Sequence, residues 1–163
     1  MKRLASHLDI AASPERIWEQ MTDFDGFPAW NPFIRQASGT LRVGDRLQLT
    51  LQLGKSARRF RPLLVKLEPN RELRWLAQVG PKGVFDVERI FQLQPLGDGR
   101  TRFAQSEVCT GLLAPVLFIG GKLERDILNG YDAFAHAIKE RVERPSVARL
   151  GAHLRGESPR THA

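Results

Sequence analysis

The 163-residue chain predicts an α+β fold, a curved antiparallel sheet of about six to seven strands wrapped around a long C-terminal helix. Three observations lead there. The chain opens on an alternating segment followed directly by a short amphipathic one. Its middle is a series of period-two stretches separated by turn residues. Its last apolar stripe before the tail recurs every three or four residues.

In the first element Leu4, Ser6, Leu8 and Ile10 alternate with Arg3, His7 and Asp9, which predicts a strand. "SPERIWEQM" then carries a helix start, with Ser13 as N-cap, Pro14 at the first helical position and Glu15 in the first turn, where its charge suits the helix dipole. Ile17, Trp18 and Met21 supply its buried stripe, and the helix ends before Gly26 and Pro28. The segment "TDFDGFPAWNPF" that follows holds Phe24, Phe27, Trp30 and Phe33 between prolines. It reads as neither helix interior nor strand.

In "DRLQLTLQL", Leu47, Leu49, Leu51 and Leu53 form one apolar face. "RRFRPLLVKLEP" is expected to show Leu63, Val65 and Leu67 on one face, with Pro62 marking an edge or a bulge, and "NRELRWLAQV" shows Leu73, Trp75, Ala77 and Val79. Turn signals at 69–70 and 80–83 separate these strands. The last hairpin, "VFDVERIFQLQPLGDGRTRFAQSEVCTG", sets its own register. A three-residue loop Gly97-Asp98-Gly99 pairs Leu93 with Phe103, Phe91 with Gln105, Arg89 with Glu107 and Val87 with Cys109. Arg89 and Glu107 then face each other on the apolar side. Finally Val116, Ile119, Leu123, Ile127, Tyr131, Phe134, Ile138 and Val142 make one stripe from a helix beginning near Pro115, with a kink or restart expected at Gly120-Gly121.

"SPERIWEQMTDFDGFPAWNPFI" resembles the opening of the polyketide cyclase/dehydrase and lipid-transport superfamily, also called SRPBCC or START-related, and "FDVERIFQLQPLGDGRTRFAQSEVCTGLLAPVL" resembles its closing hairpin. The resemblance covers nearly all of residues 1–143 and implies the helix-grip fold, with a deep apolar cavity between the concave sheet and the C-terminal helix. The residues expected to contact a ligand there are Trp30, Phe33, Leu49, Trp75, Phe85, Arg89, Phe91, Glu107, Ile119, Leu123, Ile127 and Tyr131. Trp30 and Phe33 are expected in the wall, Phe24 and Phe27 as anchors to the core. In sequences this one resembles, a histidine often occupies the position of Arg89; an arginine there binds and does not titrate.

Residues 1–143 are expected to form the one domain and 144–163 a basic, disordered tail. After Glu143 the tail holds four arginines against one glutamate, so +3 of the net +7 belongs to it. Much of the basicity is thus a tail property, and no specific nucleic-acid partner is expected. The N-terminus lacks the continuous apolar run of a signal peptide, which makes the cytoplasm the default. The single cysteine, Cys109, excludes an intramolecular disulfide, and no histidine pair has metal-ligand spacing, so neither metal nor cofactor is expected. The apolar run "LLAPVLFIG" at 112–120 is too short to span a bilayer. It reads as core, as a gate over the cavity, or as a transient contact with a membrane surface.

These readings favour non-enzymatic binding or transport of a hydrophobic small molecule such as a lipid, isoprenoid or polyketide-like compound, with no catalytic residue assigned. One alternative is a cyclase/dehydratase-type enzyme acting on a polyketide-like substrate; another is a module that contacts a protein or a polyanion.

Overall fold

The computed structural model describes residues 1–144. The chain runs β1 (Lys2–Ile10), α1 (Pro14–Thr22), α2 (Phe27–Trp30), β2 (Ile34–Ser38), β3 (Gln48–Leu53), β4 (Ser56–Phe60), β5 (Leu63–Glu68), β6 (Glu72–Gln78), β7 (Asp86–Gly97), β8 (Arg100–Thr110), α3 (Ala114–Leu117) and α4 (Lys122–Glu143). The expected disordered tail, beyond Arg144, lies outside the described residues.

All strand pairings are antiparallel, in the orders β1-β8-β7-β6-β5 and β2-β3-β4. Eight strands thus replace the expected six or seven. Pro62 is the reason: it separates β4 from β5, which join different sheets. At that corner Arg46 bridges Leu63, Leu47 N–H donates to the Pro62 carbonyl (2.9 Å) and Leu64 N–H to the Asp45 carbonyl (2.9 Å). The backbone therefore stays paired through the corner, and the two sheets curve as one surface around α4. A register shift between Leu64 and Lys66 changes the expected facing of the first half of β5, while Leu67 packs against the core as expected. Leu64 is fully buried, whereas Leu63 and Val65 are half-buried.

The β7–β8 register is the expected one, with Val87, Arg89, Phe91 and Leu93 opposite Cys109, Glu107, Gln105 and Phe103. The turn is shorter than expected: Gly97 pairs with Arg100 around Asp98-Gly99, both central residues at positive φ. An irregularity at Leu96, between the Pro95 and Gly97 pairs, restores the register that a two-residue turn would otherwise shift.

At the helix start Ser13 is extended and its carbonyl accepts from Ile17 N–H, but its hydroxyl makes no capping bond. The Ser13 side chain, and then the backbone N–H of Glu15, hold the Glu15 carboxyl below its ordinary range. The aromatic segment closes one helical turn, α2, because Pro28 sits in the first turn, where a missing N–H costs nothing. Phe134 of α4 is the hub of the packing beneath it: Phe27, Trp30, Phe91 and Phe103 all stand with ring centroids 5.9–6.2 Å from it.

The C-terminal stripe begins later than expected. Gly120 and Gly121 both adopt left-handed φ (76° and 67°), which separates α3 from α4 and turns Val116 and Ile119 outward. From Ile127 to Val142 the stripe is buried as expected, and the far end of α4 is tied to β1 by Lys139 Nζ donating to the Asp9 carbonyl (3.0 Å) and by Ala11 N–H donating to Glu143 (2.7 Å).

Two expectations follow. Gly130 lies in α4 against the Phe33 ring, and an added Cβ would fall inside that ring's van der Waals envelope. Gly130→Ala should therefore destabilise by about 1–3 kcal/mol, although alanine is the better helix former, as read by urea unfolding. Burial opposes ionisation of Glu72, but hydrogen bonds from Arg74, Gln92 and Lys66 outweigh it and hold the carboxyl at about 2. Because the folded value is depressed, its stabilisation is complete above the ordinary value near 4.5 and is lost as pH falls toward about 2. Unfolding midpoints across that window should fall less steeply for Glu72→Gln than for the parent chain.

Candidate functional site

The cavity lies where the inward faces of β3, β6, β7 and β8 meet the first two turns of α4. Leu49, Leu51 and Leu53 of β3, Phe60 and Pro62 at the corner, and Leu123 and Ile127 of α4 form one side. Trp75, Ala77, Phe85, Val87 and Cys109 form the other. Phe33 closes its end, held by the Asn31 side chain, whose Oδ1 accepts from Phe33 N–H (3.0 Å) and Ile34 N–H (2.8 Å) as the chain turns into β2. Arg89 and Glu107 complete the lining and are its only charged residues.

The volume is about 80 Å³, room for two or three waters. A larger concavity of about 560 Å³ runs past Gln36, Gln48, Thr50 and Arg59, but it opens to water and no buried unpartnered polar atom lines it. The smaller cavity is therefore the candidate site.

At its inner end the polar chemistry is concentrated. Arg89 is 2% exposed, and its Nη2 donates to Gln105 Oε1 at 2.7 Å. Gln105 in turn donates from Nε2 to the Tyr131 carbonyl at 2.9 Å, so its amide links the guanidinium to the backbone of α4. The guanidinium carbon stands 4.0 Å from the Tyr131 ring centroid, 4.7 Å from Phe91 and 5.1 Å from Phe33. Three aromatic faces thus take over part of the charge stabilisation that water would supply.

Glu107 is paired with Arg89 in the strand register, yet Nε and Nη1 of Arg89 and Oε2 of Glu107 have no hydrogen-bond partner. The two face each other across the hairpin as the register requires, but they are buried neighbours that do not close on each other. The Tyr131 hydroxyl, on a residue with no exposure, is likewise unpartnered. Burial pushes the Glu107 carboxyl above its usual range, against the attraction of Arg89, and pushes the Tyr131 phenol well above its own. Burial, then the charge of Glu107, lifts the Cys109 thiol to about 12, which makes it an inert wall residue.

Of the residues expected at a ligand, the structure brings eight to the cavity surface: Phe33, Leu49, Trp75, Phe85, Arg89, Glu107, Leu123 and Ile127. Phe91 and Tyr131 stand just behind it, Phe91 edge-on to Trp75 at 4.9 Å and both against the guanidinium. Trp30 is placed elsewhere. It stacks on Phe134, with the Arg141 guanidinium carbon 5.1 Å from its ring centroid. Ile119 is 76% exposed, since the two left-handed glycines carry it off the helix stripe.

Gln105 was legible but passed over. It falls on the odd-numbered inward face between Phe103 and Glu107, a polar residue where the pattern calls for an apolar one. Phe60 and Pro62 were not legible, since only the corner between the sheets brings them inward. Among the described residues no group of histidine, cysteine, aspartate and glutamate could hold a metal ion.

The fold has solved counterparts. A START superfamily protein from Mycobacterium smegmatis is 24% identical over 87% of this chain and 97% of its own, with a TM-score of 0.66. The Zhui aromatase/cyclase from Streptomyces sp. R1128 is 14% identical over 88% and 94%, with a TM-score of 0.70. A norcoclaurine synthase point mutant from Thalictrum flavum, in complex with a transition-state analogue, is 18% identical over 86% and 93%, with a TM-score of 0.66. No curated protein matches the chain significantly. The family model for polyketide cyclase / dehydrase and lipid transport matches residues 1–153, and the chain belongs to that family.

Proposed function

We propose that the protein binds a small, largely apolar molecule whose electronegative end is received by Arg89 and Tyr131. The observation that carries this reading is the pair of unpartnered donors, Arg89 Nε and Nη1, on a buried residue lining an apolar cavity, with the unpartnered Tyr131 hydroxyl on the residue just behind that wall. Unpartnered buried donors of this kind cost stability, and an acceptor on a ligand would satisfy them. The apolar body would lie between Leu49, Leu53, Trp75, Phe85, Leu123 and Ile127. At about 80 Å³ the cavity is closed down, so entry of a lipid-sized molecule requires the walls to part. The segment between α3 and α4 turns on two left-handed glycines just before Leu123 and is a candidate for the part that moves.

A second reading is supported by Glu107 and Tyr131 themselves. A carboxyl with raised proton affinity near a neutral phenol is a proton-handling arrangement of the kind that acid–base catalysis uses. Two structural neighbours, the aromatase/cyclase and the norcoclaurine synthase, carry names of enzymes. On this reading Arg89 orients a polyketide-like substrate and the other two residues shuttle its protons.

Native mass spectrometry of the protein as purified, followed by extraction of what it carries, tests the binding reading directly. A copurified apolar molecule is expected. In titrations followed by Trp75 emission, a fatty acid should bind roughly ten-fold or more weakly to Arg89→Gln than to the parent, while its methyl ester loses much less. Equal loss for both would make Arg89 a packing residue only.

Glu107 also makes stability depend on pH. Its folded value is raised, so its contribution to stability is greatest below the ordinary carboxylate value and is lost as pH rises through the folded one. Glu107→Gln should thus be more stable than the parent near pH 7 and no different near pH 4, by thermal unfolding.

A further inference from the structure

Apolar surface stands exposed on the two segments that run into the cavity wall at Phe85 and Leu123. Among the described residues eight large hydrophobic side chains stand exposed, and six of them belong to two adjoining segments. Leu112 (82%), Leu113, Val116 (59%), Leu117 and Ile119 (76%) lie on and around α3, and Val79 on the loop from β6 to β7. The segments are fastened together by Leu112 N–H donating to the Gly83 carbonyl (3.0 Å) and Leu113 N–H to the Val84 carbonyl (3.0 Å). Isolated exposed leucines are unremarkable on a protein surface; six gathered on one face are not.

Charge selects the occupant. Residues 79–85 and 111–122 contain no aspartate or glutamate, and their only charged side chains are Lys82 and Lys122. Lys122 pairs with Asp126 at 2.6 Å yet stays 78% exposed. Lys55 sits on the tip of the β3–β4 hairpin, where Gly54 faces Asp126 at the start of α4. Apolar side chains fringed by lysines match an anionic lipid surface, with the acyl boundary under the first and phosphates against the second. The same segments continue directly into the cavity wall, the first at Phe85 and the second at Leu123. No helix of the described chain is long and apolar enough to cross a membrane, so this would be contact from one side.

We infer that the α3 segment and the β6–β7 loop form a docking surface for an anionic bilayer, which sets the cavity mouth against the lipid. Leu112, Val116 and Ile119 enter the headgroup boundary and Lys82 and Lys122 lie on phosphates. Docking requires nothing in the cavity, so its failure would leave the ligand-binding reading untouched.

The test is sedimentation of the full chain with vesicles of phosphatidylcholine alone and of phosphatidylcholine mixed with phosphatidylglycerol. Binding is expected to the mixed vesicles and to be much weaker to the neutral ones. The double variant Leu112→Glu, Ile119→Glu, whose positions are exposed and make no core contact, should lose roughly ten-fold or more in vesicle affinity while keeping its thermal stability. Lys82→Glu with Lys122→Glu should lose the preference for anionic lipid. A fluorophore placed through Ile119→Cys, the native Cys109 being buried, should shift to the blue on mixed vesicles. Undiminished binding of the double variant would assign lipid contact to other basic residues and overturn the proposal. So would a self-associating parent chain, by light scattering, that the double variant converts to a monomer, since the face would then belong to a second copy.

Discussion

The register of the β7–β8 hairpin is the constraint on which the rest of the molecule depends. With Arg89 opposite Glu107, the odd-numbered residues of both strands face α4, and these include Phe91, Leu93, Phe103, Gln105 and Cys109. A slip of β8 by one residue would turn Phe103, Gln105 and Cys109 to solvent and bring Arg102, Ala104 and Val108 inward. Register is held at the turn, where the irregularity at Leu96 compensates for a two-residue loop, and along β8, whose other edge pairs with β1. The aromatic hub at Phe134 and the polar end of the cavity are both consequences of it.

Within that frame the interior divides into two parts with different physics. Toward the C-terminal half of α4, Phe27, Trp30, Phe91 and Phe103 close around Phe134 in edge-on and stacked contacts, which is aromatic core packing. One turn earlier, Tyr131 and the Phe33 ring face Arg89 and Glu107, and the packing leaves donors and an acceptor without partners. A buried guanidinium with one hydrogen bond and three aromatic faces is less favourable than an apolar residue of the same volume. The fold tolerates that cost because the neighbouring core is dense. A site with unpaired polar atoms is where a ligand can contribute binding energy that the protein lacks alone.

The opening of α4 shows the same division between stability and access. Had the helix run unbroken from Pro115, Val116 and Ile119 would have continued the buried stripe. Two left-handed glycines instead start the helix at Lys122, so the cavity wall begins at Leu123 and the preceding apolar run faces outward. The start of α4 thus follows a short segment with exposed apolar side chains, while the far end of α4 is held by Lys139 and Glu143.

By itself the sequence determined the α+β class, the opening strand and helix, the hairpin register and the inward stripe of α4 from Ile127 onward, because each rests on a local period of two or three to four. It also marked Arg89 and Glu107 as polar residues on an apolar face. Tertiary structure decided what depends on contacts distant in the chain. Pro62 divides two strands only because a second sheet begins beside it, and Phe60 and Pro62 reach the cavity only through that corner. Trp30 and Phe33 lie three residues apart in one aromatic segment, yet one packs on Phe134 and the other on Tyr131, since the Asn31 side chain reverses the backbone between them. Whether Arg89 and Glu107 would close into a pair was likewise settled by Gln105 and three aromatic rings, which compete for the guanidinium and come from β7, β8, α4 and the residue just before β2.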